Sequence, residues 1–179
     1  MSILQLNHTH FGADGSPQGI NCNFTLVTKT NRLQKVTFGN QPFDYTYDAN
    51  GNMTQETTSR HFEWDYADRM RVYRTQTDAS EPTVHAHYLY AAGGQRVKKL
   101  VRKQGGQVEV TVYIDGIFEH QRIVRGGVIE ENNTLHVMDN QGRIALVRVG
   151  QPFTNDTTPA VKYHLGDHLA SSNLGTAQK

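Results

Sequence analysis

Tyr45-Thr46-Tyr47-Asp48-Ala49-Asn50-Gly51-Asn52 decides the fold, because it returns in eroded form down the chain. Trp64-Asp65-Tyr66-Ala67-Asp68-Arg69 follows, then Tyr88-Leu89-Tyr90-Ala91-Ala92-Gly93-Gly94-Gln95-Arg96. Tyr113-Ile114-Asp115-Gly116 and Met138-Asp139-Asn140-Gln141-Gly142-Arg143 continue the series. Each copy sets an aromatic or apolar strand end before a short Asp/Asn/Gly turn. The starts lie ~20–25 residues apart, the spacing of one supersecondary unit repeated along a chain. A chain built this way makes a surface before it makes a reaction centre.

Outward from that stretch, a period of two residues dominates. In Val108-Glu109-Val110-Thr111-Val112-Tyr113-Ile114 the valines and Ile114 share one face, and Glu109, Thr111 and Tyr113 the other. Asp115-Gly116 then reads as a two-residue primed turn, and residues 117–124 as the returning strand. Further strands are expected at 32–38, 43–47, 52–57, 61–66, 70–76, 84–90, 95–102, 134–138, 143–149 and 161–165. Between them stand Asn50-Gly51, Ala67-Asp68, Gly93-Gly94, Gly105-Gly106, Gly126-Gly127 and Gln141-Gly142. Glycine supplies the positive φ such hairpins require. No window carries helical periodicity. The expected fold is all-β: an antiparallel meander of hairpins in an open, curved sheet. Residues 1–30, with Gly12, Gly15, Pro17 and Gly19, read as an irregular N-terminal segment, and 31–179 as the repeat sheet. Residues 151–159, with two prolines, read as a loop.

Composition narrows the function classes. With 179 residues the length fits about one domain. Hydrophobic residues make up only 36% and mean hydropathy is −0.61, so the core must be thin or shared. Net charge is +1, from 18 basic and 17 acidic residues, and exerts no global pull toward nucleic acid or membrane. Cys22 is the single cysteine, so no intramolecular disulfide framework exists. No apolar run reaches membrane-spanning length. The first residues, Met1 to His8, are too short and polar for a secretory signal core, so export would need a carrier or a longer parent.

The segment around Tyr47-Asp48-Ala49-Asn50-Gly51 resembles the tyrosine-aspartate (YD) repeat, with the later copies as divergent forms. Tyr163-His164-Leu165-Gly166-Asp167-His168-Leu169-Ala170-Ser171-Ser172 is similar to the signature of the Rhs repeat-associated core. Together they cover roughly residues 30–178 and mark the chain as resembling the Rhs/YD-repeat family, which includes bacterial polymorphic toxins, the C component of insecticidal toxin complexes and the teneurins. The resemblance implies a β-sheet spiralling into a hollow shell around a C-terminal toxin. It makes this chain a wall segment whose partners are the rest of the shell and the toxin cargo. It also implies export, to the medium or the cell surface, as part of a bacterial toxin. Ala170 stands where the core usually has Gly, and Ala91 where the repeat usually has Asp. The sequence ends at Lys179 without the self-cleavage segment or toxin domain of the family. The expectation is therefore an excised or truncated piece, with neither protease nor toxin activity carried over.

The residues expected to build the repeat are Tyr45, Tyr47, Asp48, Gly51, Trp64, Asp65, Tyr66, Tyr88, Tyr90, Gly94, Tyr113, Asp115 and Gly116. A wall one sheet thick has no deep core, and aromatic pairs across strands contribute ~0.2–1 kcal/mol each. Tyr47, Tyr66 and Tyr90 are expected at matching offsets beside the turns. The Asp48 carboxylate is placed to accept turn N–H groups and hold the register.

Histidine pairs, a polar cluster and a basic strand each have a chemical and a blander reading. His8/His10 and His85/His87 have the spacing that puts two rings on one strand face, as zinc sites use, but no third ligand completes either set. The expectation is no metal and no cofactor. The core signature residues Tyr163, His164, Leu165, Asp167, His168, Ser171 and Ser172 include the elements of a hydrolase triad. Triads are assembled by geometry from distant positions, so a turn joining two strands is the simpler reading, and the chain is expected not to be an enzyme. Arg96, Lys98, Lys99, Arg102 and Lys103 put five cations into eight residues. They fit either a polyanion contact or a charged strand protecting a sheet edge from aggregation. The alternative to the wall is a glycan- or protein-binding β-surface, and open edges predict homo-oligomers by strand pairing.

Overall fold

The computed structural model describes residues 5–11, 17–57, 59–77, 80–140, 142–166 and 172–176. It is all-β, with fifteen strands and no helix among the described residues. Among the described residues no helix is long and apolar enough to cross a membrane. The chain divides into two compact units, Met1–Thr83 and Val84–Lys179.

The first unit holds β1 (Gln5–Phe11), β2 (Pro17–Leu26), β3 (Leu33–Phe38), β4 (Gln41–Tyr47), β5 (Met53–Glu56), β6 (Arg60–Trp64) and β7 (Met70–Thr75). The second holds β8 (Val84–Tyr90), β9 (Arg96–Lys103), β10 (Gln107–Ile114), β11 (Phe118–Arg125), β12 (Val128–Met138), β13 (Arg143–Val149), β14 (Val161–Gly166) and β15 (Ser172–Thr176). Within each unit the strands lie side by side in chain order, all antiparallel, with no crossover. Among the described residues β1 pairs only with β2, and β15 only with β14, so each unit has an open edge strand.

Two stretches form strands where sequence reading expected something else. Residues 1–30, expected to be irregular, carry β1 and β2, paired from Gln5↔Asn23 to Phe11↔Pro17. Pro17, which has no N–H to donate, stands at the first position of its strand. The strand expected at 134–138 begins at Val128, because Val128 to Leu135 pair residue for residue with β11. Ser172–Thr176 pairs with β14, so the core signature joins two strands, as its simpler reading expected. In the first two cases a neighbouring backbone supplies pairing that weak local propensity does not announce.

The connection after β10 follows its sequence. Asp115 and Gly116 both have positive φ, 50° and 71°, and the Ile117 N–H donates to the Ile114 carbonyl at 3.1 Å. One extra residue passes the turn, so Ile114 lies opposite Phe118.

Alternation splits the second unit into two chemically distinct faces. Val108, Val110, Val112 and Ile114 lie opposite Val124, Arg122, His120 and Phe118. The same face continues through Ile129 and Leu135 on β12, Val147 and Ala145 on β13, and Val161 and Tyr163 on β14. The other face carries Glu109, Thr111 and Tyr113, then Gln121 and Glu119, then Glu130, Asn132, Thr134 and His136, with Arg148 and Lys162 beyond. Few residues are truly buried: Val72, Ala86, Val101, Ala145 and Asn132 among those described. Ala86 and Val101 lie opposite each other on the polar face, and Asn132 shares it. Of this unit's buried residues only Ala145 is on the apolar face. The thin core expected from composition is present.

Candidate functional site

The hairpin around Asp48 is built three times. The Asp48 N–H donates to the Asn52 carbonyl at 2.9 Å, and the Gly51 N–H to the Asp48 carbonyl at 3.1 Å. Asp65 does the same with Arg69 (2.9 Å) and Asp68 (3.0 Å), and Ala91 with Gln95 (2.8 Å) and Gly94 (2.9 Å). The fourth residue is left-handed in all three: Gly51, Asp68 and Gly94, with φ 97°, 57° and 84°. The strand register also shifts at one place in each, before Tyr47, Trp64 and Tyr90. One backbone unit therefore recurs, and the side chain at its first position refines it.

Where that side chain is Asp, it closes the turn as expected. The Asp48 carboxylate accepts from the Gly51 and Asn52 N–H groups, both at 2.8 Å. Asp65 accepts from the Ala67 N–H at 2.9 Å and the Arg69 N–H at 3.1 Å, and its second oxygen takes the Arg69 guanidinium at 2.9 Å. Desolvation pushes both carboxyls up. The hydrogen bonds they accept, led by Asn52 for Asp48 and by Arg69 for Asp65, outweigh it and leave both below the ordinary carboxylate value. Ala91 keeps the backbone geometry without this lock. The first two turns are also tied to one another, because Asp68 accepts from the side-chain amides of Asn50 (2.9 Å) and Asn52 (2.7 Å).

The aromatic before each of the first two turns holds one hairpin to the previous one. Tyr47 donates its hydroxyl to the Leu33 carbonyl of β3 at 2.8 Å, and Trp64 its indole N–H to the Met53 carbonyl of β5 at 2.7 Å. Tyr66, expected to be the matching residue, lies in its turn and is 93% exposed. Trp64 holds the equivalent place, as the last residue of its strand. Both aromatics flank the same Asp65, so sequence spacing alone does not separate them. Tyr45 lies on β4 opposite Glu56, and Phe62 packs on Tyr73 at 5.6 Å between centroids. Tyr88, Tyr90 and Tyr113 lie on β8 and β10. Arg96 lies over the rings of Tyr113 (4.6 Å) and Tyr88 (5.7 Å). Burial lifts the Tyr113 phenol above its ordinary value, against the opposing charge of Arg96.

The five cations of β9 do not form one stripe. Lys98 and Arg102 lie opposite Val112 and Val108 on the apolar face, whereas Lys99 and Lys103 lie on the polar one. Lys103 pairs with Glu109 at 2.5 Å. Nor does β9 protect an edge, because it is hydrogen-bonded to β8 on one side and β10 on the other.

Of the core signature, Tyr163, His164 and Leu165 lie on β14 and Ser172 begins β15. Asp167, His168 and Ser171 fall outside the described residues. Burial, with Arg143 and His136 nearby, holds the His164 imidazole below its ordinary value. The His85 and His87 rings stack at 4.4 Å, while the side chains of His8 and His10 are outside the described set. Among the described residues no group of three His, Cys, Asp or Glu is placed to hold a metal ion.

One site escaped sequence reading. Residues 151–159, expected only as a loop, fold back with Ala160 over the polar face. Thr154 donates its N–H (2.7 Å) and hydroxyl (2.5 Å) to Glu130, and the Asn132 amide donates to the Gln151 carbonyl. Arg148 reaches Asp156 at 3.1 Å and the Thr158 carbonyl at 3.0 Å. Hydrogen bonds from Thr158, its side chain foremost, hold the Asp156 carboxyl below its ordinary value. A cavity of about 210 Å³ remains between this loop and strands β11–β14. The composition of the loop signals its turns, but not partners 19 to 24 residues away.

No protein-family model matches the chain, and no curated protein does. Among solved structures the chain is similar to the Photorhabdus luminescens Tc holotoxin pore carrying the TccC3-D651A mutation. The TM-score is 0.59 at 14% identity, over 89% of this chain and 9% of that one. The chain thus spans about a tenth of the length of the chain it matches, and what the two share is the β-fold.

Proposed function

We propose that this chain is a wall segment of an Rhs/YD-repeat shell that encloses a C-terminal toxin, exported as part of that toxin, and that it works as structure rather than as a catalyst. The observation that carries this reading is the identical hairpin at Asp48, Asp65 and Ala91. A unit whose backbone geometry survives the loss of its own key side chain can be repeated indefinitely. Chain-order antiparallel pairing then extends the sheet without a crossover. Support also comes from the thinness of the sheet, with half-exposed side chains on both faces, and from the likeness to a Tc toxin chain. A half-exposed apolar face suits a wall that meets other protein along its length.

The test is to read the genomic frame that encodes this chain and image its full product by cryo-electron microscopy. The expected result is further copies of the Asp-turn hairpin and a hollow particle with this segment in its wall. A solid globular particle, or a frame without further repeats, would overturn the reading.

A further inference from the structure

Asn50-Gly51 is the one Asn-Gly step in the chain. Such a step is chemically labile, because no side chain hinders the glycine nitrogen from closing on the asparagine side chain. The fold keeps Gly51 where it is. Its φ is 97°, and the Arg32 guanidinium fills the space a Cβ would take. Asn50 is not demanded in the same way, since the matching position holds Ala67 and Gly93 in the other two hairpins. What Asn50 adds is a tie to the next turn: its Nδ2 donates to Asp68 Oδ1 at 2.9 Å. Asn52 donates to the same oxygen at 2.7 Å.

Both reacting groups are restrained in the folded chain. Ring closure needs the Gly51 nitrogen deprotonated and the Asn50 side chain free to swing over it. The Gly51 N–H instead donates to two oxygens of Asp48, the carbonyl at 3.1 Å and the carboxylate at 2.8 Å. An anion holding that proton opposes its loss. The amide that would leave is held by Asp68. Asn50 is exposed, so water and hydroxide reach it once the turn opens. We propose that Asn50 is a deamidation site which the Asp48 turn holds shut, and that conversion there loosens the tie between the first two hairpins. When the turn opens and hydroxide removes the proton, the Gly51 nitrogen attacks Cγ of Asn50. The N–Cγ bond forms, the Cγ–Nδ2 bond breaks, and the leaving nitrogen takes a proton from water and departs as ammonia. Water then adds to one carbonyl of the cyclic imide and opens it to aspartate or isoaspartate. One water is consumed and one ammonia released, with no other reactant. Aspartate sets a carboxylate against Asp68 where a donor stood, and like charges repel. Isoaspartate adds a backbone atom to the turn.

The test incubates the full chain at mildly alkaline pH and follows residues 36–60, which trypsin releases after Lys35 and Arg60, by mass spectrometry with an isoaspartate assay. The same peptide, synthesised alone, is the reference. Asn50 is expected to convert at least about tenfold more slowly in the folded chain than in the peptide. Asn52, followed by the bulky Met53, should stay slow in both. Asp48→Ala should raise the rate in the folded chain several-fold with far-ultraviolet circular dichroism unchanged. The hairpin at Ala91 shows that the backbone survives that exchange. Asn50→Asp copies one product and should lower the urea midpoint more than Asn50→Ala does. Equal rates in chain and peptide would overturn the proposal, as would an Asp48→Ala chain no faster than its parent. An Asn50→Asp chain as stable as Asn50→Ala would overturn the loosening of the hairpins.

Discussion

The two faces of the second unit invert the usual relation between polarity and burial. The apolar face leaves Leu89 59%, Ile129 52% and Ile114 47% exposed. The polar face contains the buried residues Ala86, Val101 and Asn132. Nothing packs as a second layer on the apolar side among the described residues of this unit, so its valines and isoleucines are covered only by neighbours on the same face. On the polar side long side chains lie along the sheet: Lys103 reaches Glu109, Arg96 covers Tyr113 and Tyr88, and residues 151–160 fold over Asn132. Aliphatic stems of charged residues bury small neighbours while their heads stay wet. Burial in such a sheet follows reach, not hydropathy.

The sharpest way to break that comparison is to place the same charge on each face. Val101→Asp puts a carboxylate at a 6% exposed position on the polar face and should cost about 3–5 kcal/mol of stability in urea unfolding. Leu89→Asp on the apolar face should change stability by no more than about 0.5 kcal/mol. Equal losses would mean that the apolar face is covered in solution.

A smaller effect separates reach from exposure in the first unit. Trp64→Ala removes a half-buried ring and its bond to Met53, and should cost about 2–3 kcal/mol. Tyr66→Ala, two residues on, should cost less than about 0.5 kcal/mol. If the two match, Trp64 does not hold the hairpins together.

The turns give a pH dependence of known sign. The Asp48 and Asp65 carboxyls are lowered in the folded chain, so the stability they add is fully present above about pH 4 and is lost as pH falls through their folded values. Acid titration of Asp48→Asn/Asp65→Asn should show a flatter loss in that window than the parent chain. The hairpin at Ala91 has no turn carboxylate and serves as the internal control in hydrogen exchange. Identical acid profiles for parent and variant would show that the turn carboxylates contribute nothing.

The smallest effect tests the exposed face and the open edges together. Weak self-association that reverses on dilution is expected in sedimentation, since low hydrophobicity keeps any contact modest. Leu135→Lys with Ile129→Lys should reduce it if the apolar face is responsible, and leave it unchanged if pairing occurs at an edge strand. A strict monomer at all concentrations would remove both.

The all-β class, most strand positions, the Asp115-Gly116 turn and the carboxylate lock at Asp48 were legible in the residues themselves. Each depends on a period of two or on a turn a few residues long, and local sterics and hydrogen bonding settle both. Alternation likewise divided Val108, Val110 and Val112 from Glu109, Thr111 and Tyr113 before any neighbour was known. What alternation cannot carry is depth, because depth depends on what lies over a face, and the partners that cover it are far away in sequence. Tertiary structure alone placed β9 inside the sheet rather than at its edge, and gave the hairpin position to Trp64 rather than Tyr66. It alone paired Gln5–Phe11 with Pro17–Leu26 and closed residues 151–160 over Asn132 and Arg148. The face a side chain points to is a local property of the strand, whereas its burial is decided by the rest of the chain.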